Sequence, residues 1–427
     1  MDRFLISGGK TLKGTVTTAR AKNAVLPILA ACLLTEDTCE IKEVPILDDV
    51  NTMLKLLKSI GVKSEVKPAP KGKQGNIVKV TARGKLTPKA PYDIVRKMRA
   101  SYYVLGPLLA RFGFCEVSLP GGCAIGPRPV DLHLKGINAL GARVTLKQGY
   151  IHARTRSLKG NTILLAGNKG PSVGATINTM MAATLAQGET VIEGAACEPE
   201  VTDVANFLTS MGACIKGAGT PIIRIRGVKE LAGCTYTPIP DRIEAGTLAV
   251  AGAITQGSVK ILGCEPNHLT AVIAKLRELG ARIETDTNSL WVEMNCRPEP
   301  VNITTAPYPG FPTDLQAQFT ALLTLTNGTS VVTENIFESR FLHALELNRM
   351  GASIDISGNM AIIHGTDHLT GAQVMASDLR ASAALVLAGL AARGKTEILR
   401  IYHLDRGYQR LEEKLRSLGA DIKRVSY

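Results

Sequence analysis

The chain has 427 residues, 45% of them hydrophobic and 4% aromatic, with a formal charge of +13. That is more chain than one core ordinarily uses, so two domains are expected, with cores of aliphatic and small side chains. No apolar run is long enough for a membrane span, no signal-peptide core precedes the first elements, and nine scattered cysteines without a C-x-x-C pair argue against a disulfide framework or structural zinc.

A protein that stays in the cytoplasm is therefore expected, with no metal, since the seven histidines are scattered and no H-E-x-x-H occurs. The basic balance suits either nucleic acid or small polyanions. Lysine and arginine are spread along the chain and stacking aromatics are few, which favours small anions, with neither nucleic acid nor a membrane as partner.

In chain order, six stretches share one plan: an Ala/Leu/Met-rich helix, a glycine or acidic turn, then a β-branched strand. They are "NAVLPILAACLLTEDTCEIKEV", the looser "ASYYVLGPLLARFGFCEVSL", "VGATINTMMAATLAQGETVIEG", "AGTLAVAGAITQGSVKILG", "LQAQFTALLTLTNGTSVVTE" and "ASAALVLAGLAARGKTEILR". These helices are apolar almost all round, which predicts burial. Between them runs a second plan, an amphipathic helix ended by a glycine and followed by a strand. Its glycines are Gly61, Gly141, Gly212, Gly280, Gly351 and Gly419, spaced 80, 71, 68, 71 and 68 residues apart. Glycine there supplies the left-handed helix end.

The unit is thus β-α-β-α-β-β over about 70 residues, repeated six times. Two groups of three give two similar α/β domains with helices inside and sheets outside. The segment Val66 to Gly75, "VKPAPKGKQG", breaks the pattern and reads as an inserted surface loop.

Charged and cap-type residues gather just before the apolar helices: Lys22-Asn23, Arg96 to Arg99, Lys169 to Gly174, Asp241 to Glu244, Phe311 to Asp314, and Ser377 to Arg380. Ser172 and Asp241 are ordinary helix caps on this reading. Lys22, Arg99 and Arg380 are not, because a cation opposes the helix dipole there and needs a compensating anion.

The runs "AKNAVLPIL", "MRAS", "PGGCAIGPRPVDLH", "SVGAT", "PDRIEAGT", "FPTDLQAQF", "MASDLRASAALVLAG" and "YHLDRGYQRLEEKLRSLGA" closely resemble the UDP-N-acetylglucosamine enolpyruvyl transferases, in order and over nearly the whole chain. The resemblance implies two inside-out α/β barrel domains, prism-like, each of three βαβαββ units. It puts the first at 22–237, carrying the Cys123 loop, the second at 1–21 plus 238–427, and the active site in the cleft between them.

It also implies an activity: transfer of the enolpyruvyl group of phosphoenolpyruvate to the 3′-hydroxyl of UDP-N-acetylglucosamine, with release of phosphate, as the first committed step of peptidoglycan synthesis. No cofactor is implied. Catalytic roles fall on Cys123, Asp314, Lys22 and Arg406, with Asp314 the base at the sugar hydroxyl and Cys123 the proton donor and target of the epoxide fosfomycin. Phosphoenolpyruvate would be held by Lys22, Asn23, Arg128 and Arg406, since arginine's planar fork suits phosphate and carboxylate alike. UDP-N-acetylglucosamine would be held by Arg99, the run Arg128, Pro129, Val130, Asp131 and Leu132, the turn Ser172, Val173 and Gly174 with help from Lys169, then Asp314 and Ile336. Arg340, Asp378, Arg380 and Asp241 would support them.

Cys123 sits in a Gly-Gly-Cys loop, which argues against a buried structural thiol; the other eight cysteines read as core or incidental. The sequence departs from the family at Arg20, where glycine is usual, at Asp48-Asp49, and in the length of the "GNKGPSVG" segment. Rival readings are a 5-enolpyruvylshikimate-3-phosphate synthase, whose G-N-A-G-T signature is absent, and a UDP-sugar sensor without catalysis. A basic nucleic-acid binder is suggested by the isoelectric point alone.

Overall fold

The computed structural model describes residues 2–426 except 71, 73, 120–129, 168–169 and 338–339. Six apolar helices carry its cores: α1 (Lys22–Ala31), α2 (Leu105–Phe112), α3 (Val173–Ala183), α4 (Arg242–Ile254), α5 (Gln316–Leu323) and α6 (Leu379–Ala391). Every residue of α4 and α5 is buried. No helix among the described residues is long and apolar enough to cross a membrane.

Among the described residues, six four-stranded sheets cover these helices, and each is built alike. A short edge strand runs parallel to a second strand, which pairs antiparallel with a third, itself antiparallel to the fourth; in five sheets the last two form a hairpin, and in the sixth they are Asp2–Ser7 and Asp421–Ser426. In one sheet Thr235–Tyr236 runs parallel to Thr38–Val44, which pairs with Asn76–Thr81 and through it with Lys63–Pro68. Strands such as Ile222–Arg226 alternate buried and exposed residues, so each sheet keeps one face on the helices and one in water. The six amphipathic helices end as their glycines require. Gly61, Gly141, Gly212, Gly280, Gly351 and Gly419 all have φ between 89° and 106°, in the left-handed region.

The chain divides into two compact units. One takes the chain up to Ala19 and from Pro240 onward; the other takes Arg20 to Ile239, outside the undescribed stretch. In the first unit α4, α5 and α6 pack against one another. Here the N-terminal segment closes two sheets: Asp2–Ser7 lies between Lys395–Leu399 and Asp421–Ser426, and Lys13–Thr17 runs parallel to Ser258–Leu262. In the second unit α2 packs on α3, while the 3₁₀ turn Arg99–Val104 packs against both α1 and α3.

Each unit grips the chain with a buried acid where that chain enters or leaves. Glu244 accepts the Ala19 N–H at 2.5 Å and the Lys414 ammonium at 2.7 Å. Asp203 accepts the Tyr236 hydroxyl at 2.6 Å and the Ile239 N–H at 3.1 Å.

Two local expectations shift. The segment from Val66 to Gly75 is not all loop: Val66 to Pro68 extend the strand Lys63–Pro68, and the turn follows it. The second and fifth repeats open on 3₁₀ turns, Arg99–Val104 and Thr313–Leu315, before the α-helix begins.

Candidate functional site

The start of α1 carries Lys22, its first residue, with Asn23 next. Ala21 gives this helix no side-chain cap. Lys22 reaches the Asp49 carboxylate at 3.1 Å, and both side chains are nearly buried, at 11% and 5% exposure. Asp49 sits in the first turn of the amphipathic helix Asp48–Ile60. A protein carboxylate, that of Asp49, therefore offsets Lys22 against the helix dipole. Arg20, two residues earlier, pairs with Glu43 at 2.6 Å. Glu43 has φ +55° at an irregularity in the strand Thr38–Val44, so the departure at Arg20 is tied down within its own unit.

The start of α3 is capped by Ser172, whose hydroxyl accepts the Ala175 N–H at 3.3 Å. Gly174 in that first turn faces His133: a Cβ there would lie 2.9 Å from the ring, so only glycine lets the imidazole close on the helix end. The His133 Nδ1 meets the Asn178 amide at 2.9 Å, and Asn178 also bonds the Gly106 N–H and the Tyr102 carbonyl, each at 2.9 Å. Burial, with help from the Arg99 charge, lowers the His133 pKa to about 4 against the opposing Asp131. Val130 precedes the helix Asp131–Ala139; Asp131 is exposed and Leu132 packs toward Gly167. The expectations for Cys123, Arg128, Pro129 and Lys169 lie outside the described residues.

The other unit holds a second polar cluster. Asp314, on the 3₁₀ turn before α5, takes Arg340 on one oxygen at 2.9 Å and Arg380 on the other at 2.6 Å. Both arginine side chains are buried, at 7% and 4% exposure, while Asp314 keeps 26%. Burial opposes the Arg380 charge, but Asp314, Tyr408 and Asp241 outweigh it and raise its pKa above the ordinary guanidinium value. The Arg380 guanidinium also stacks over the Tyr408 ring, 5.5 Å from its centre.

Asp378 caps α6, its carboxylate accepting the Arg380 and Ala381 N–H groups at 2.9 and 3.1 Å. Asp241 caps α4 in the same way. Arg406 is partly buried at the end of the short helix Tyr402–Asp405, with His403 nearby in charge. The structure thus joins Asp314, Arg340 and Arg380 by direct contact, joins Lys22 to Asp49, and gives Ser172, Asp241 and Asp378 capping roles.

Five residues of this cluster escaped the sequence reading: Glu334, Thr305, Gln318, Tyr408 and Thr247. Glu334 is completely buried and holds four donors: the Thr305 and Thr313 hydroxyls at 2.8 Å, and the Ile336 and Phe337 N–H groups at 2.8 and 3.0 Å. Thr313 in turn accepts Arg340 at 2.9 Å. Behind Asp314, the Gln318 amide donates to the Asp314 carbonyl at 3.0 Å and to the Tyr408 hydroxyl at 3.1 Å, and Thr247 meets that hydroxyl at 2.8 Å. The signal for Glu334 is an acid directly after the β-branched strand Thr329–Thr333, where a solvated turn would be usual. Gln318 and Tyr408 stand inside quoted motifs, but nothing in their spacing marks them as partners.

The EPSP synthase (3-phosphoshikimate 1-carboxyvinyltransferase) family model matches residues 6–415. UDP-N-acetylglucosamine 1-carboxyvinyltransferase 2 of Carboxydothermus hydrogenoformans is 55% identical over 428 aligned positions, covering all of both chains. UDP-N-acetylglucosamine 1-carboxyvinyltransferase 1 of Caldanaerobacter subterraneus is 54% identical, covering 99% of each. Among solved structures, the enolpyruvyl transferase NikO from Streptomyces tendae superposes with a TM-score of 0.88 at 25% identity, over 100% of this chain and 99% of that one. EPSP synthase from Acinetobacter baumannii superposes at 0.74 and 19% identity over the whole of both chains, which speaks for the two-domain inside-out α/β fold.

Proposed function

Because the chain belongs to the EPSP synthase family of enolpyruvyl transferases, and within it to the UDP-N-acetylglucosamine 1-carboxyvinyltransferases, we infer that it transfers the enolpyruvyl group of phosphoenolpyruvate to the 3′-hydroxyl of UDP-N-acetylglucosamine. The observation carrying this reading is end-to-end similarity above half identity to relatives of that name. The reaction belongs to peptidoglycan synthesis, in the cytoplasm.

The chemistry is addition and then elimination. The sugar hydroxyl loses its proton and adds to C2 of phosphoenolpyruvate while C3 gains a proton. The tetrahedral ketal then loses a C3 proton and expels phosphate. Asp314 is the base we assign to the hydroxyl. Held by two buried guanidinium groups, its carboxylate is fixed in place and keeps enough exposure to meet a substrate. Lys22, Asn23, Arg128 and Arg406 take the phosphate and carboxylate of phosphoenolpyruvate, with Lys22 exchanging Asp49 for the incoming anion. Arg99, the run from Arg128 to Leu132, and the α3 start at Ser172 to Gly174 take the UDP-sugar. Since the Ile336 N–H is given to Glu334, its carbonyl is the group we assign to the amino sugar. Cys123 is the proton donor to C3 and the thiol that fosfomycin alkylates. That both units serve one pair of substrates is part of this proposal.

The test is phosphate release with both substrates, with and without prior fosfomycin. Release that needs both and is blocked by the drug supports the reading and the thiol together. Release with shikimate 3-phosphate in place of the UDP-sugar would move the chain to the sister activity. UDP-sugar binding without release would make it a sensor.

A further inference from the structure

Three cysteines that the proposed reaction does not use lie side by side in the second unit. Cys39 is in the strand Thr38–Val44, and Cys234 immediately precedes the edge strand Thr235–Tyr236. The two strands are parallel, with Thr235 opposite Glu40, so Cys234 stands opposite Cys39. The Glu40 N–H donates to the Cys234 carbonyl at 2.8 Å. Neighbouring strands run about 4.8 Å apart, inside the Cα separation of roughly 4.4–6.8 Å that a disulfide spans. The Cys39 thiol also lies near enough to those of Cys234 and Cys32 to interact with both electrostatically. Cys32, in the 3₁₀ turn after α1, donates its own S–H to the Ile28 carbonyl at 3.3 Å. Cys32 and Cys39 are buried and Cys234 is half-buried. The three sulfurs therefore run in file from the accessible edge of the sheet into the core.

We propose that Cys39 and Cys234 are a site of reversible disulfide formation, driven by exchange with a low-molecular-weight disulfide. The accessible Cys234, as its thiolate, attacks one sulfur of the external disulfide and releases one thiol. Cys39 then attacks the Cys234 sulfur of the mixed disulfide and expels the second thiol. Two protein thiols are oxidised by two electrons in all, the external disulfide is reduced to two thiols, and the two protein protons end on those thiols. Cys39 is placed for the second step, because it stands directly opposite Cys234 on the neighbouring strand. The bond would tie the start of the second unit to its last strand, only two residues long and three residues before the chain leaves at Ile239.

The experiment uses the full chain, reduced and then incubated with glutathione disulfide. Remaining thiols are alkylated without unfolding, and the digest is mapped by mass spectrometry. The expected product is a peptide pair linked through Cys39 and Cys234, lost on treatment with dithiothreitol, and a higher unfolding temperature for the linked form. Cys39→Ser should stop at a stable glutathione adduct on Cys234, and Cys32→Ser should still form the link. A wild-type chain that keeps the glutathione adduct on Cys234, links Cys32 to Cys39 instead, or leaves all three thiols reduced overturns the proposal. Those results would make the file three small apolar side chains of the core. Mapping the wild-type chain decides the matter even if a serine variant fails to fold.

Discussion

Lys22 and Arg380 occupy like positions in the two units, at the start of a buried helix, yet their surroundings differ. Lys22 meets the Asp49 carboxylate at 3.1 Å. Arg380 shares one carboxylate, Asp314, with a second buried guanidinium, and a further buried acid, Glu334, braces the set through Thr313. Both cations oppose their helix dipoles, and both are offset by an acid from another element of the same unit. The first arrangement can release its cation to an incoming anion by giving up the Asp49 contact. The second is braced from behind and suits a group that must hold its aim. The repeated fold thus provides a similar helix start in each unit, and the neighbouring acids decide whether it binds or positions.

The largest effect should come from taking out the centre of the braced set. Asp314→Ala is expected to lower turnover by about 10²–10⁴-fold, the range of a lost general base. It should also cost about 3 kcal/mol of stability, because two buried guanidinium groups lose their shared anion. Phosphate release and thermal unfolding read the two effects, and UDP-sugar binding should remain measurable. Turnover at the wild-type rate would remove the base assignment.

Next in size is Glu334→Gln, which keeps the shape but replaces an acceptor-only group by one with donors. Thr313 then loses part of its anchor, and Arg340 with it. A fall in kcat of about tenfold, equivalent to about 1.4 kcal/mol, is expected with KM for phosphoenolpyruvate little changed. Thr313→Val should follow the same direction. Equal losses in binding of both substrates would instead mean that Glu334 holds only the fold.

These contacts also mark where the sequence stops being informative. The six-fold repeat, the buried helices and the left-handed glycines were legible because each rests on local chemistry: apolar composition all round a helix, and a φ that glycine tolerates. The caps at Ser172 and Asp241 were legible for the same reason. The cation at Lys22 was visible as an anomaly, but its partner was not, since Asp49 lies 27 residues away on another element. The Asp314–Arg380 contact spans 66 residues, and nothing in the sequence signals that the two touch. Glu334 was missed outright, because a buried acid and a surface acid look alike in sequence until their four donors are in place. The 3₁₀ openings at Arg99 and Thr313 were unseen for a subtler reason: the local composition favours a helical turn without fixing which kind.

A smaller effect tests the Lys22–Asp49 pair. Asp49→Asn removes the charge that Lys22 faces. The ligand-free chain should lose about 1–3 kcal/mol, as expected when a largely buried cation loses its charged hydrogen-bond partner. Added phosphate or phosphoenolpyruvate should then raise the unfolding temperature by more than it does in wild type. An equal or smaller rise would mean that Asp49 aims Lys22 instead of competing with the incoming anion.

The smallest expected effect is one of pH, and it compares one histidine from each unit. Burial first, then a nearby arginine, lowers His133 and His343 to about 4, against the pull of Asp131 and Asp378 respectively. In the unfolded chain a histidine titrates near 6.5, so between about 6.5 and 4 the unfolded state binds a proton that the folded state refuses. Each ring should therefore cost stability as pH falls through that window, add nothing above it, and reach its full cost below it. Carboxylates titrate in the lower part of the same range, so the variants His133→Gln and His343→Gln carry the test by difference from wild type. Each should flatten the upper part of the stability curve, between about pH 6.5 and 5, where the carboxylates contribute least. His343 is the deeper of the two, with its Nε2 buried and unpartnered among the described groups, so its variant should flatten the curve more. A curve unchanged by either substitution would mean that both rings find a way to be protonated inside the fold.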